Sequence, residues 1–158
     1  MSGPISTSNQ RSSSEPVDRA PHLGLRSDAP HRVQPADYYY RSYFGRIGLR
    51  RIFHRARVDA LVAVISPNAS VLDAGCGCGL TSLLLSQRGC RVTGVDIDPA
   101  AIAFAQALVA DGRFGVADVA ELELLQKYRF VVCSEVIEHF SENEHEHVLG
   151  RLLDHLED

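Results

Sequence analysis

The sequence predicts one α/β domain, a Rossmann-like fold on a parallel β-sheet. Three observations carry this expectation. From residue 70 onward, short apolar segments alternate with helix-patterned ones, the signature of strand–helix–strand units with right-handed crossovers. The segment Val71-Leu72-Asp73-Ala74-Gly75-Cys76-Gly77-Cys78-Gly79 runs an apolar strand into an acid and then into three alternate glycines. A second apolar segment, Val92-Thr93-Gly94-Val95-Asp96, ends in another acid. Glycine is needed where the chain turns with positive φ or where a ligand packs on the backbone. Ligands of open parallel sheets sit beyond the carboxyl ends of the strands, where the glycine loop and Asp96 fall.

Each element has its own local reason. Residues 1–34 are rich in Ser, Pro and Arg and poor in large apolar residues. They bury too little surface to offset ordering entropy and are expected to be a disordered tail, so the folded part is 35–158. From Asp37 to Ile65, Tyr40, Phe44, Ile47, Leu61, Val62 and Ile65 recur at helical spacing, and Gly45 and Gly48 divide the stretch into two helices. Ser66-Pro67-Asn68 stops the second. A strand is predicted over 70–74, then a helix over 80–88 that Gly89 ends. A strand follows over 91–96. Asp98-Pro99 then reads as an N-cap with proline at the first helical position, and that helix runs to about Asp111-Gly112. A strand over 113–117, a helix within 119–127 and a strand over 129–134 come next, the last an apolar run expected to be buried on both faces. Ser141-Glu142-Asn143-Glu144 has capping-box spacing. It opens a helix whose Val148, Leu149, Leu152, Leu153 and Leu156 form one stripe.

The length of 158 residues and 45% hydrophobic content suit one domain plus a tail. The net charge of −4 gives no overall pull toward polyanions. The charge is uneven, with ten arginines against four acids through Arg57 and six basic residues against sixteen acids from Val58 on. Arg41, Arg46, Arg50, Arg51, Arg55 and Arg57, mixed with Tyr43, Phe44 and Phe53, could pair with the acidic half. The same stretch could bind RNA or a phosphorylated or carboxylated substrate. Four cysteines without a CxxC pair match neither a disulfide framework nor a zinc site. Reduced thiols point to the cytoplasm. No apolar run reaches membrane-spanning length, and the N-terminus lacks the apolar core of a secretory signal.

Two cofactor classes compete for the loop. A dinucleotide fingerprint needs glycine at position 80, but Leu80 stands there and the third glycine is Gly79. Asp73 suits a cationic ammonium better than a pyrophosphate. Asp96, 21 residues after Gly75, can accept hydrogen bonds from a ribose diol. Spacing and charge thus favour S-adenosylmethionine over NAD. A glycine turn without a cofactor is the plain alternative.

From Tyr38 to the C-terminus the sequence resembles the class I S-adenosylmethionine-dependent methyltransferases, through VLDAGCGCG, VTGVDIDP, GVAD and FVVCSEVIEHF. The resemblance implies that Asp73, Gly75, Cys76, Gly77 and Gly79 surround the methionine part of the cofactor. By the same resemblance Asp96 holds the ribose and Ile97 packs on the adenine. Asp118 and the Val119 backbone meet the adenine edge, and Ser134 and Glu135 line the cofactor and substrate side. Tyr38, Tyr39 and Tyr40 fall in a region that often forms a lid. The implied reaction is direct displacement of the sulfonium methyl by an acceptor, a small molecule attacking through oxygen. Glu-x-x-Glu-His segments like 135–139 occur in ubiquinone-pathway O-methyltransferases and in small-RNA 2′-O-methyltransferases, where they are associated with metal. Glu135, Glu138 and His139 are therefore candidate ligands, and Glu135 and His139 candidate catalytic groups. The same segment occurs in relatives without known metal use, where it caps the strand end, and no metal is expected. His145, His147 and His155, beside Glu142, Glu144 and Glu146, read as a solvated polar face.

Family sheets have seven strands in the order 3-2-1-4-5-7-6. The present chain is expected to form the 3-2-1-4 part with the C-terminal strands missing. Strand four is then an apolar edge to be covered by a second copy, a partner or more of a longer polypeptide. A non-catalytic S-adenosylmethionine-binding or interaction module and an RNA 2′-O-methyltransferase fragment are the alternative functions.

Overall fold

The computed structural model describes residues 37–45 and 49–158, with 49–51 described by backbone alone. The expectations for the 1–34 tail, for Pro35, Arg46, Ile47 and Gly48, and for the side chains of Arg50 and Arg51 lie outside the described residues. The elements run α1 (Tyr38–Phe44), α2 (Leu49–Val64), β1 (Ser70–Ala74), α3 (Leu80–Ser86), β2 (Arg91–Asp96), α4 (Pro99–Leu108), β3 (Arg113–Val116), β4 (Phe130–Cys133) and α5 (Glu142–Leu153). Single 3-10 turns cover Val119–Glu121 and Ile137–His139. No helix among the described residues is long and apolar enough to cross a membrane.

Four parallel strands lie in the order β3-β2-β1-β4, the Rossmann-like arrangement read from the sequence. Asp73 stands level with Gly94 and Val132, and Ala74 with Val95 and Cys133. The carboxyl ends of β1, β2 and β4 therefore reach the same edge, and the loops leaving them face one another.

All five residues of β1 are buried, as a central parallel strand with both faces covered requires. Alternation sends its side chains to opposite layers. Val71 packs with Val58, Val62 and Ile65 of the α2 segment and with Leu80 and Leu85 of α3. Leu72 and Ala74 pack with Val148 and Leu152 of α5, Val119, Leu122 and Tyr128. A third cluster sets Ile102, Ala105 and Val109 against Phe114 and Cys76. Leu72 is completely buried, so its truncation to alanine costs about 2–5 kcal/mol.

The helix ends follow local chemistry. The Asp98 carboxylate accepts from Ala100 N–H at 2.8 Å, with Pro99 beside it. Past α3, Gly89 N–H donates to Ser86 O at 2.8 Å and Cys90 N–H to Leu85 O at 3.2 Å. Gly89 has φ +78°, and this paired closure is a Schellman cap. At α5 the Glu144 carboxylate accepts from Ser141 N–H at 3.1 Å and from its hydroxyl at 2.7 Å.

Several expectations are corrected. The helix within 119–127 is a single 3-10 turn. Asp118 caps it, Leu122 is extended, and Leu124 N–H leaves the helical ladder to donate to His155 Nε2 at 2.9 Å. His155 is 3% exposed, so it does not belong to a solvated face. Its Nδ1 lies 2.7 Å from Arg151 O. A carbonyl only accepts, so Nδ1 carries the proton and Nε2 accepts. His145 and His147 also bond backbone carbonyls, of Phe140 and Ala120. The α5 stripe is narrower than expected: Val148 and Leu152 are buried, while Leu149 and Leu153 are exposed. Leu156 lies beyond the helix in a bridge with Tyr128. α4 stops at Leu108, short of Asp111-Gly112. β4 is half-buried rather than buried throughout, because it pairs with β1 alone and is the sheet edge among the described residues.

Candidate functional site

The loop between β1 and α3 is pinned to β2. Gly75 N–H and Cys76 N–H both donate to Val95 O, at 2.8 and 2.9 Å, and Gly79 N–H closes the turn onto Cys76 O at 2.9 Å. The glycines serve different ends. At Gly75 (φ +75°) a Cβ would fall 2.1 Å from Val136 Cγ2, so packing forbids a side chain. At Gly77 (φ +50°) a Cβ would meet nothing within 4 Å. The backbone there faces open space, the face a ligand can approach.

Asp96 is tied to the same glycine. Its Oδ2 accepts from Gly77 N–H at 2.8 Å and its Oδ1 from Asp98 N–H at 2.9 Å. Each carboxylate oxygen can accept a second bond, so Asp96 braces the loop and keeps acceptor capacity for a diol.

Asp73 is 3% exposed, and its Oδ2 accepts from the Ser82 hydroxyl at 2.7 Å. Among the described residues it has no ion-pair partner. Burial pushes its carboxyl up to about 6, Ser82 opposes the shift and the Asp96 charge adds to it. A buried carboxylate without a cation is costly. A cationic group beside it would offset that cost. The same field acts on the thiols: Cys76 is pushed up by burial and then by Asp73 and Asp96, and Cys133 is raised to about 11 by burial and then by Asp73 and Glu138. All four cysteines are free thiols.

The other expected residues occupy the same sheet edge. Ile97 follows Asp96 and is 37% exposed. Ala117 N–H donates to Asp96 O at 3.0 Å, joining the end of β2 to the segment that carries Asp118. The Asp118 side chain accepts from Ala120 N–H at 2.9 Å, and Val119 is buried. Ser134 is half-buried at the end of β4. The acceptor-side candidates do not assemble as ligands. Among the described residues no group of three His, Cys, Asp or Glu side chains could hold a metal ion. Glu135 instead pairs with Arg57. The other described arginines of the basic stretch are also engaged, Arg41 with Asp37 and Arg55 with Asp59, the latter over the Tyr43 ring.

Three contributors were missed from sequence. Ser82 was signalled only by a hydroxyl inside an apolar helix, nine residues after Asp73. Val136, the wall against Gly75, carries no signal of its own. His54 lies 3.2 Å from Arg57 through Nδ1 and is one more residue of a basic helix when read in sequence.

The family of methyltransferase domains matches residues 71–158, more than half of the chain. The chain belongs to the class I S-adenosylmethionine-dependent methyltransferase family. The chain is 36% identical over 75 residues to the ubiquinone biosynthesis O-methyltransferase of Pseudomonas fluorescens, covering 44% of this chain and 32% of that protein. It is 33% identical over 114 residues to the magnesium-protoporphyrin O-methyltransferase of Synechocystis, covering 65% and 49%. The crystal structure of magnesium protoporphyrin IX methyltransferase from Synechocystis with bound S-adenosylhomocysteine superposes with a TM-score of 0.65 at 30% identity, over 77% of this chain and 62% of that one. The chain thus spans about a third of one curated relative's length and about half of the other's.

Proposed function

We propose that this chain binds S-adenosylmethionine at the glycine loop and serves transfer of its methyl group to an oxygen of a small-molecule acceptor. One observation carries the reading: the open backbone face at Gly77 lies beside the Asp96 carboxylate and next to the buried, cation-less Asp73. A ligand with a ribose diol and an ammonium group supplies the donors that these carboxylate acceptors need, and a pyrophosphate does not. Asp73, Gly75, Cys76, Gly77 and Gly79 would hold the methionine part. Asp96 would hold the ribose, and Ile97, Asp118 and Val119 the adenine. Ser134 and Glu135 would line the cofactor and acceptor side. When bound, S-adenosylmethionine supplies an electrophilic sulfonium methyl that an acceptor oxygen displaces directly.

The chain's own part is positioning and shielding from water, which lowers the barrier by fixing a near-attack geometry. Asp96 holds Gly77 and Asp98 in register, Val136 closes the side of the loop at Gly75, and the α1 tyrosines pack against α2 and Phe104. His139 and Glu135 are the candidate bases at the acceptor side. The O-methyltransferase relatives support oxygen as the acceptor atom.

The test is transfer of tritiated methyl from S-adenosylmethionine into a cell extract, separated into RNA and small-molecule fractions. Label in small molecules that Asp96→Ala abolishes is expected. Label confined to RNA, or equal label with Asp96→Ala, overturns the reading.

A further inference from the structure

α2 has two apolar faces, and among the described residues only one of them meets the core. On that face Val58 and Val62 are buried in the cluster that holds Val71, Leu80 and Leu85. At 3.6 residues per turn, the other side of the helix carries Ile52, Phe53, Ala56, Ala60, Ala63 and Val64 on one arc. All six are exposed. The large ones stand at the two ends of the stripe, with Ile52 at 53%, Phe53 at 70% and Val64 at 76% exposure. A helix at the surface of a domain needs one apolar stripe toward the core and a polar face toward water. A second stripe turned to water marks an interaction surface.

The stripe is complementary to itself. Set antiparallel on a second copy, with a two-fold axis passing close to Val58, Ile52 of one copy lies opposite Ala63 of the other. Phe53 lies opposite Val64, and Ala56 opposite Ala60 at the centre. Small residues at the centre let the two helices approach, and the large side chains close the ends. An isologous contact has this form, because each pairing occurs twice. A parallel arrangement would set Phe53 on Phe53 and Arg55 on Arg55.

Charge selects the same partner. Arg55 and Asp59 share one rim of the stripe, and in the antiparallel register Arg55 of each copy stands opposite Asp59 of the other. Within one chain the two groups are 3.7 Å apart, with side chains 64% and 50% exposed. Both therefore keep hydrogen-bonding capacity for a further partner. The opposite rim carries Arg57, whose charge Glu135 already offsets. A lipid or nucleic-acid surface would set the Asp59 carboxylate against phosphates. A protein face that carries both signs fits instead.

We propose that α2 is a dimerisation helix whose outer face packs antiparallel on α2 of a second copy of this chain. The surface is separate from the β4 edge, and the proposal does not depend on the methyl-transfer reading.

Analytical ultracentrifugation of the full chain tests it. A monomer–dimer equilibrium that shifts toward dimer with concentration is expected. Phe53→Glu sets a charge inside the stripe and should weaken self-association at least about tenfold. Its circular dichroism should match the parent, because the position is exposed. Arg55→Asp and Asp59→Arg should each be monomeric, since each alone sets like charges against one another. Mixed together they should form a heterodimer, because both cross pairs return. A pair acting only within its own helix gives no recovery on mixing. Asp59 also accepts from the Tyr43 hydroxyl. If loss of that bond unfolds Asp59→Arg, mixing Phe53→Glu with Val64→Lys gives the same readout from two exposed positions. A parent chain that stays monomeric at every concentration overturns the proposal. So does a dimer that Phe53→Glu leaves intact, which is the outcome for association through the β4 edge. Folded variants that stay monomeric when mixed overturn it as well.

Discussion

Replacing Asp73 by asparagine separates what the fold wants from what the ligand wants. Burial raises the Asp73 carboxyl to about 6 in the folded chain, against about 3.9 in an unfolded one. A raised carboxyl favours the folded state when protonated. Below about pH 4 both states hold the proton and Asp73 costs nothing. As pH rises through the window from about 4 to about 6, the folded state loses stability, and above that the loss is constant. Two pKa units correspond to about 3 kcal/mol. Asparagine removes the charge and keeps an acceptor for Ser82. Its new N–H₂ group needs partners, at a cost of about 1 kcal/mol or more. The net gain above pH 6 is then about 1–2 kcal/mol, a rise in melting temperature of roughly 4–10 °C. The same change removes the carboxylate offered to an ammonium, a charged hydrogen bond worth about 1.5–3 kcal/mol, so S-adenosylhomocysteine affinity should fall at least about tenfold. Melting curves at pH 7.5 and pH 4, with calorimetric titration at pH 7.5, provide the check. An Asp73→Asn protein that melts lower than the parent at pH 7.5, or that binds S-adenosylhomocysteine unchanged, refutes the reasoning.

Three further outcomes are expected. Gly75→Ala sets a Cβ 2.1 Å from Val136 Cγ2 at positive φ and should destabilise by at least about 1–3 kcal/mol. Adding Val136→Ala should recover part of that loss in chemical denaturation, whereas strictly additive losses would deny the contact. His155→Ala strands the Leu124 N–H and should cost about 1–3 kcal/mol, with amide exchange at Leu124 accelerated; unchanged exchange there would contradict the assigned bond. EDTA should leave S-adenosylhomocysteine binding unchanged, because no three-residue ligand group is gathered among the described residues, and a chelator-dependent loss of affinity would reverse that view.

The parts of the fold that were legible are those whose cause is local. The strand bounds of β1 and β2, the Asp98-Pro99 start of α4, the Gly89 closure and the Ser141–Glu144 box each follow from residues within one turn of one another. The glycine loop was legible for the same reason, since positive φ and an open face leave their mark directly on the residue type. What escaped depends on distant partners. His155 takes the Leu124 N–H from 31 residues away, where the sequence predicts a helix, and the Asp73 partner Ser82 is chosen by how α3 docks on β1. Arg57 finds Glu135 across 78 residues, so neither basic helix nor Glu-x-x-Glu-His segment alone revealed the pair. The half-burial of β4 is likewise a property of sheet order and not of its apolar sequence.

The central claim is that the loop from Gly75 to Gly79, braced by Asp96, is an S-adenosylmethionine site. Calorimetric titration of the full chain and of folded Asp96→Ala with S-adenosylhomocysteine, with NADH as a control, tests it most directly. One molecule of S-adenosylhomocysteine should bind per chain, at least about tenfold more weakly to Asp96→Ala, and NADH should give no heat. Binding of NADH, absence of S-adenosylhomocysteine binding to folded protein, or equal affinity in Asp96→Ala would contradict it.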